Sequence, residues 1–198
     1  RRATHLANMV YVRQTEPLGN GHAVLMAREV VGDEMFAVLW GDDILLGQPP
    51  VPAQLAEVAE RYGGPVVGVR RVPKEDVERY GIVSVEPLEG RVYRALSVIE
   101  KPSPSDAPSD LAQIGGFILT PDIFEILAEL EPGPSGEIYL ADALVQLMLQ
   151  REVFAYEFTG KRYDAGNKLD YLKANIDLAL MSPQLREPLS EYLRGLKE

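Results

Sequence analysis

Phe36-Ala37-Val38-Leu39-Trp40-Gly41-Asp42-Asp43-Ile44-Leu45-Leu46 is the stretch whose reading decides the fold. An apolar run this short, closed by Gly-Asp-Asp, predicts a buried parallel strand. Glycine lets the backbone turn sharply and approach a ligand closely. The aspartates then fall just past the carboxyl end of the strand, where open α/β sheets bind their ligands. A carboxylate there, beside a bound phosphate, is the usual way to hold magnesium. Gly-Asp is equally ordinary turn chemistry, so this stretch alone leaves Asp42 and Asp43 open between metal ligand and turn residue.

Outward from this run the chain alternates strand and helix. On its amino-terminal side, Asn8 to Arg13 reads as a short strand and Gln14 to Gly21 as a glycine-containing loop. His22 to Val31 carries apolar residues at helical spacing (Ala23, Leu25, Met26, Val30). On its carboxyl-terminal side come a proline-rich loop (Gln48 to Pro52), a helix (Ala53 to Tyr62) and a β-branched strand (Val66 to Val72). Strand, helix, strand, helix, strand with short connections predicts a mostly parallel sheet with right-handed crossovers.

The middle differs. Tyr80 to Glu86 and Arg91 to Ile99 read as a hairpin that runs into Glu100-Lys101-Pro102, where proline stops the strand. Ala112 to Thr120 reads as a strand containing Gly115-Gly116, and adjacent glycines in a strand mark close backbone approach. Beyond it, Pro121 to Leu130 and Ile138 to Gln150 are helices; Tyr139, Leu140, Leu144, Leu147 and Met148 of the second are read as core packing. Val153 to Phe158 is a strand, Thr159 to Asn167 a loop, and Lys168 to Met181 and Glu187 to Leu196 are helices.

Composition sets limits. In 198 residues there are 20 basic and 30 acidic side chains, a net charge of −10. That argues against nucleic acid or an anionic membrane as partner, since both require a basic face. A small phosphorylated ligand needs only a few local cations. There is no cysteine, which excludes disulfides, thiolate chemistry and zinc–sulfur sites. No apolar run approaches the roughly 20 residues of a membrane span, and Arg1 to Leu6 lacks the apolar core of a signal peptide. The expectation is one cytoplasmic domain over 1–198, incomplete at its amino end, with the helices of 168–198 available for subunit contact.

Six short stretches in order carry a resemblance. They are Arg13-Gln14 with Gly21-His22-Ala23, Gly41-Asp42-Asp43, Tyr80-Gly81-Ile82-Val83, Glu100-Lys101-Pro102, Gly136-Glu137-Ile138 with Ala141-Asp142-Ala143, and Asp164-Ala165-Gly166-Asn167-Lys168. Together they resemble the bacterial UTP–glucose-1-phosphate uridylyltransferases (UDP-glucose pyrophosphorylases), members of the sugar-phosphate nucleotidyltransferases. The resemblance runs from about Val10 to about Leu180. It implies a Rossmann-like α/β fold with a mixed, mostly parallel sheet flanked by helices and a small β-hairpin insertion. The family's phosphate-gripping pattern Gly-x-Gly-x-Arg-x-x-Pro-x-x-Lys is not found in these 198 residues, which puts turnover by this chain alone in question.

The resemblance implies a Mg2+-dependent uridylyl transfer from UTP to glucose 1-phosphate, yielding UDP-glucose and pyrophosphate, in a homodimer or homotetramer. By the same carry-over, Asp42 and Asp164 are the metal ligands, and Asp43 is turn structure. Lys101 meets the sugar phosphate and, with Asp42, is catalytic; Glu100 accepts hydrogen bonds from the sugar hydroxyls. Gln14 can donate and accept at once, as a uracil edge requires. Gly19 and Gly21 let backbone reach the base; Gly81 and Gly115 do so for ribose and sugar. His22 reads as structural. Lys161, Arg162 and Lys168 are either a positive field for phosphates or surface charge. Alternatives are the same chemistry on another sugar phosphate or with dTTP, a non-catalytic nucleotide-sugar-binding fragment, and a phosphatase using Asp42 as nucleophile.

Overall fold

The computed structural model describes residues 7–196. In chain order its elements are α1 (Asn20–Leu25), α2 (Arg28–Val31), β1 (Phe36–Val38), β2 (Asp43–Leu46), α3 (Val51–Tyr62), β3 (Val66–Arg71), β4 (Gly81–Glu89), β5 (Val92–Glu100), β6 (Leu111–Leu119), α4 (Asp122–Glu129), α5 (Leu140–Gln150), β7 (Val153–Glu157), β8 (Lys161–Asp164), α6 (Lys168–Met181) and α7 (Arg186–Gly195). They fall into two compact units. One comprises the residues up to Val38 together with Pro52–Phe158; the other comprises Leu39–Val51 together with the residues from Thr159 onward.

The first unit is built on a six-stranded sheet of order β1-β6-β3-β7-β5-β4. Only β3 and β7 pair in parallel; every other neighbouring pair among the described residues is antiparallel. The sheet is therefore mixed, but its pairings are mainly antiparallel rather than parallel. β6 pairs with β1, β3 and β4, and its Leu111, Ala112, Phe117, Ile118 and Leu119 are all buried. The helices place their apolar stripes in the core: Ile123, Phe124, Ile126 and Leu127 of α4, and Leu140, Ala143, Leu144 and Leu147 of α5. Phe36 of β1 stacks on Phe124 with ring centroids 5.0 Å apart.

The second unit pairs β2 with β8 in an antiparallel ribbon, followed by α6 and α7. Asn167 caps α6, its Oδ1 accepting from the N–H groups of Leu169 (3.0 Å) and Asp170 (3.1 Å). Apolar residues lie all round α6, but only Ala174 is buried within the described chain; Leu169, Tyr171, Leu172 and Met181 are exposed.

Four local expectations change. The opening stretch is not one buried parallel strand. It breaks at Gly41 into β1, an antiparallel edge strand, and β2, a half-buried strand of the separate ribbon. Asn8 to Arg13 forms no strand among the described residues, because its backbone finds no neighbouring ladder; Met9, Val10, Tyr11 and Val12 lie exposed. The helix expected over His22 to Val31 breaks into α1 and α2 around Met26-Ala27. The loop expected over Thr159 to Asn167 contains β8. Lys74–Arg79 forms a 3-10 turn with no counterpart in the sequence reading.

Candidate functional site

In the second unit, Trp40-Gly41-Asp42-Asp43 is a turn closed by the Asp43 N–H donating to the Trp40 carbonyl at 3.2 Å. β2 leaves this turn and pairs with β8 so that Asp43 faces Asp164. Two carboxylates directly opposite each other repel. Arg162, on the same face of the ribbon, resolves this. Its Nε and Nη2 lie 2.7 and 2.5 Å from Asp43 Oδ1, and its Nη1 lies 3.8 Å from Asp164 Oδ2. The pair is largely shielded, with side-chain exposures of 6% for Asp43 and 17% for Arg162. Burial pushes the Asp43 carboxyl above its ordinary value, opposed by the Arg162 hydrogen bond and charge.

Asp43 is thus taken up by Arg162, and Asp42 is left as the carboxylate of the turn. The backbone joins Asp42 to the β8 end: its carbonyl accepts from the Ala165 N–H at 2.7 Å, while Asp164 Oδ1 accepts from the Gly166 N–H at 2.9 Å. A side chain added at Gly166 would meet Asp164 Oδ1 at 3.1 Å and Asp42 Oδ2 at 3.8 Å. Glycine there leaves room beside both carboxylates. Among the described residues no group of three or more His, Cys, Asp or Glu side chains is clustered for a metal. Two hard oxygen donors still fit Mg2+, which is commonly held by one or two carboxylates plus substrate phosphates. Lys161 pairs with Asp177 at 2.7 Å, and Tyr163 also donates to Asp177. These two hydrogen bonds lower the Asp177 carboxyl, and the same contact with Asp177 raises Lys161. Lys161 is therefore committed to α6.

In the first unit, Gly81 opens β4 directly across from Glu100, the last residue of β5. A Cβ at Gly81 would stand 2.9 Å from Glu100 Oε2 and 3.8 Å from Gln113 Cβ, so glycine makes room for the Glu100 carboxylate. Lys101 follows in a left-handed conformation, φ 48°, unusual for a residue with a side chain. Its N–H donates to the Tyr80 carbonyl at 3.0 Å, and its ammonium stands 3.9 Å from Glu100 Oε1, both side chains well exposed. The strained backbone aims a cation and a carboxylate outward from one strand end. Gln113 adds a feature that the sequence does not signal: its Oε1 is buried and accepts no hydrogen bond from the described residues. Gly115 has φ +102°, and a Cβ there would lie 2.4 Å from Cε1 of Phe158, so its close approach is to that ring.

The Gln14 to Gly21 loop is fastened to the start of α5. Ile138 N–H donates to the Leu18 carbonyl at 2.7 Å, Gly21 N–H to the Ile138 carbonyl at 2.9 Å, and Leu140 N–H to Asn20 Oδ1 at 2.8 Å. A side chain on Gly19 or Gly21 would strike the Ile138 carbonyl at 2.7 or 2.9 Å. Their missing side chains therefore face the chain's own backbone. Gln14 Nε2 lies 3.0 Å from both the Gly19 carbonyl and His22 Nδ1. The structure thus groups Gln14, Gly19, Gly21 and His22 in one cluster, Gly81, Glu100 and Lys101 in a second, and Asp42, Asp164 and Arg162 in a third.

The model of the nucleotidyl transferase family matches residues 1–180. The chain belongs to this family. It is 43% identical over 196 residues to the UTP--glucose-1-phosphate uridylyltransferase of Bacillus subtilis (strain 168), covering 99% of this chain and 67% of that protein. A crystal structure of UDP-glucose pyrophosphorylase complexed with UDP-glucose matches with TM-score 0.82 and 40% identity, over 87% of this chain and 66% of that one. A UTP-bound UGPase from Acinetobacter baumannii matches with TM-score 0.83 and 35% identity, over 92% and 64%. The chain spans about two thirds of the length of these family members. The mixed α/β fold is that of the UDP-glucose pyrophosphorylases.

Arg162 is one of three cations, with Lys161 and Lys168, whose weight the sequence reading left undecided. Its place between Asp43 and Asp164 depends on a ribbon register that neither segment signals by itself.

Proposed function

We propose that this chain carries the substrate machinery for uridylyl transfer from UTP to glucose 1-phosphate, giving UDP-glucose and pyrophosphate. The observation that carries the reading is its 40% identity and TM-score 0.82 to a UDP-glucose pyrophosphorylase complexed with UDP-glucose. In the reaction an oxygen of the sugar phosphate forms a bond to the α-phosphorus of UTP. The bond from that phosphorus to the bridging oxygen breaks, and its electron pair leaves with pyrophosphate. Such a transfer needs positioning and charge neutralisation rather than a covalent intermediate.

Each cluster supplies one part. Glu100 accepts hydrogen bonds from sugar hydroxyls, and Lys101 sets its ammonium against the sugar phosphate. Gln14 faces the base. Asp42 and Asp164 would hold Mg2+, which when bound supplies positive charge against the phosphates. Arg162 neutralises Asp43 and keeps both metal carboxylates in register. The exposed apolar side chains of α6 and α7 (Leu169, Leu172, Met181, Tyr192) fit a homodimeric or homotetrameric contact. No helix among the described residues is long and apolar enough to cross a membrane, which fits a cytoplasmic enzyme.

The test is calorimetric titration of this chain with UDP-glucose and with ADP-glucose, each with and without Mg2+. Saturable binding of UDP-glucose, at least about tenfold tighter than ADP-glucose and weakened about tenfold or more by Lys101→Ala, is expected. Equal affinity for the two nucleotide sugars, or no binding, overturns the proposal.

A further inference from the structure

We infer that His22 is a positioning residue that fixes which way the Gln14 carboxamide faces, and thereby selects uracil over cytosine. The inference rests on the reading that Gln14 faces the base. It begins from the Gly19 carbonyl, 3.0 Å from Gln14 Nε2. A carbonyl can only accept, so the amide atom turned toward it is the nitrogen. The same nitrogen is 3.0 Å from His22 Nδ1. With its first hydrogen on Gly19, it directs its second at Nδ1, which must then present a lone pair. His22 is therefore the neutral tautomer with its proton on Nε2.

The carbonyl that starts this chain of choices is itself fixed. Gly19 has φ 95° and ψ 178°, its oxygen also accepts from the Ala23 N–H at 3.2 Å, and the loop around it is fastened to Ile138 and Leu140. Both hydrogens of the Gln14 amide are then used inside the protein. Its Oε1 accepts from no described residue and is the group left for a ligand.

That changes what Gln14 offers. The sequence suggests an amide that donates and accepts together; the structure leaves an acceptor alone. Uracil presents a donor, N3–H, at the centre of its pairing edge, whereas cytosine presents a lone pair at N3. An acceptor-only amide matches uracil and opposes cytosine held in the same pose. Turning the amide over would reverse the preference, and it would also set Oε1 against both the Gly19 carbonyl and the His22 lone pair. The uracil carbonyl oxygens draw their donors from elsewhere than Gln14.

Two measurements test this. The first is the 15N spectrum of the imidazoles in the labelled chain at mildly alkaline pH. It is assignable because the chain has only two histidines, His5 and His22. A proton on Nε2 and a bare Nδ1 in His22 are expected; a proton on Nδ1 overturns the inference whether or not nucleotide binds. The second is calorimetry with UDP-glucose and CDP-glucose on the wild type, His22→Leu and His22→Asn. The Asn Oδ1 accepts near the Nδ1 position. The preference for uridine should fall about tenfold in His22→Leu and persist in His22→Asn, a loss of about 1.4 kcal/mol of discrimination. An unchanged preference in a folded His22→Leu variant overturns the inference alone. Failure of the wild type to bind UDP-glucose overturns the proposed function, and the base-reading role of Gln14 and His22 with it.

Discussion

Replacing Arg162 by methionine tests whether the β2–β8 ribbon depends on a shielded ion pair. Methionine keeps much of the aliphatic stem and removes the guanidinium. In the wild type that group lies 2.5–2.7 Å from Asp43 Oδ1, and Asp43 is 6% exposed. The carboxylates of Asp42 and Asp164 also act on Asp43, and both are repulsive. Without Arg162 the Asp43 carboxylate is both shielded and unpaired, which typically costs about 3–5 kcal/mol. Asp43→Asn removes the charge instead of its partner. It leaves Arg162 near Asp164 and an amide oxygen that still accepts, so about 1–2 kcal/mol is expected. In the double variant neither charge remains, and stability should return to within about 2 kcal/mol of the wild type. The coupling across the cycle is then at least about 2 kcal/mol. Urea unfolding of the four proteins at neutral pH, followed by far-ultraviolet dichroism, measures it. A single Arg162→Met loss under about 1 kcal/mol, or a double variant worse than either single one, would refute the argument.

Three further outcomes are expected. Gly115→Ala places a Cβ 2.4 Å from the Phe158 ring at φ +102°; strain and overpacking together should cost about 3 kcal/mol by urea unfolding, and a loss under about 1 kcal/mol would contradict the geometry. Burial raises the Asp122 carboxyl, but the Thr120 hydroxyl and Arg151, 2.9 Å away, outweigh it and hold it below its ordinary value. Its contribution is present above the unfolded value and is lost as pH falls through the folded one. Arg151→Met should therefore lower the melting temperature at neutral pH, with the gap narrowing from about pH 5 downward; a gap that widens in acid would be inconsistent with this sign. Finally, Asp164→Asn should weaken Mg2+ binding in the presence of UDP-glucose about tenfold or more by calorimetry, and an unaltered Mg2+ affinity would remove Asp164 from the metal site.

The sequence made some features legible because they are local. Apolar spacing placed α3 and α5, and Pro121 the start of α4, to within a few residues, and the β4–β5 hairpin announced itself through two β-rich runs around a turn. Strand direction is not local. Phe36 meets Leu119 and Val66 meets both Ile118 and Phe154, pairings that no short run encodes, so the sheet read as mixed and mostly parallel is mixed and mainly antiparallel. β8 was invisible for a related reason. Lys161-Arg162-Tyr163-Asp164 lacks strand alternation, and its conformation comes from the ladder with β2. In the site, Asp42 stood out by its own turn chemistry, whereas Asp164, Glu100 and Lys101 gained weight only through ordered motifs. The Gln14–His22 contact is set by the folded loop, and an amide and an imidazole eight residues apart carry no signal of their mutual orientation.

The register of the ribbon explains why three aspartates, Asp42, Asp43 and Asp164, gather at one end of β2 and β8 while only Asp43 is taken up by Arg162. Side chains alternate along a strand, so Arg162 and Asp164 share one face of β8, with Asp43 directly across from Asp164 and diagonal to Arg162. A shift of one residue would turn Asp43 to the opposite face and leave Arg162 without its main partner. The ion pair therefore does more than offset a repulsion. It distinguishes this register from its neighbours, and this register is the one that brings the Asp42 carbonyl to the Ala165 N–H and both remaining carboxylates beside Gly166. Asp43, which looked like the redundant member of Gly-Asp-Asp, is on this argument what holds the other two aspartates in place.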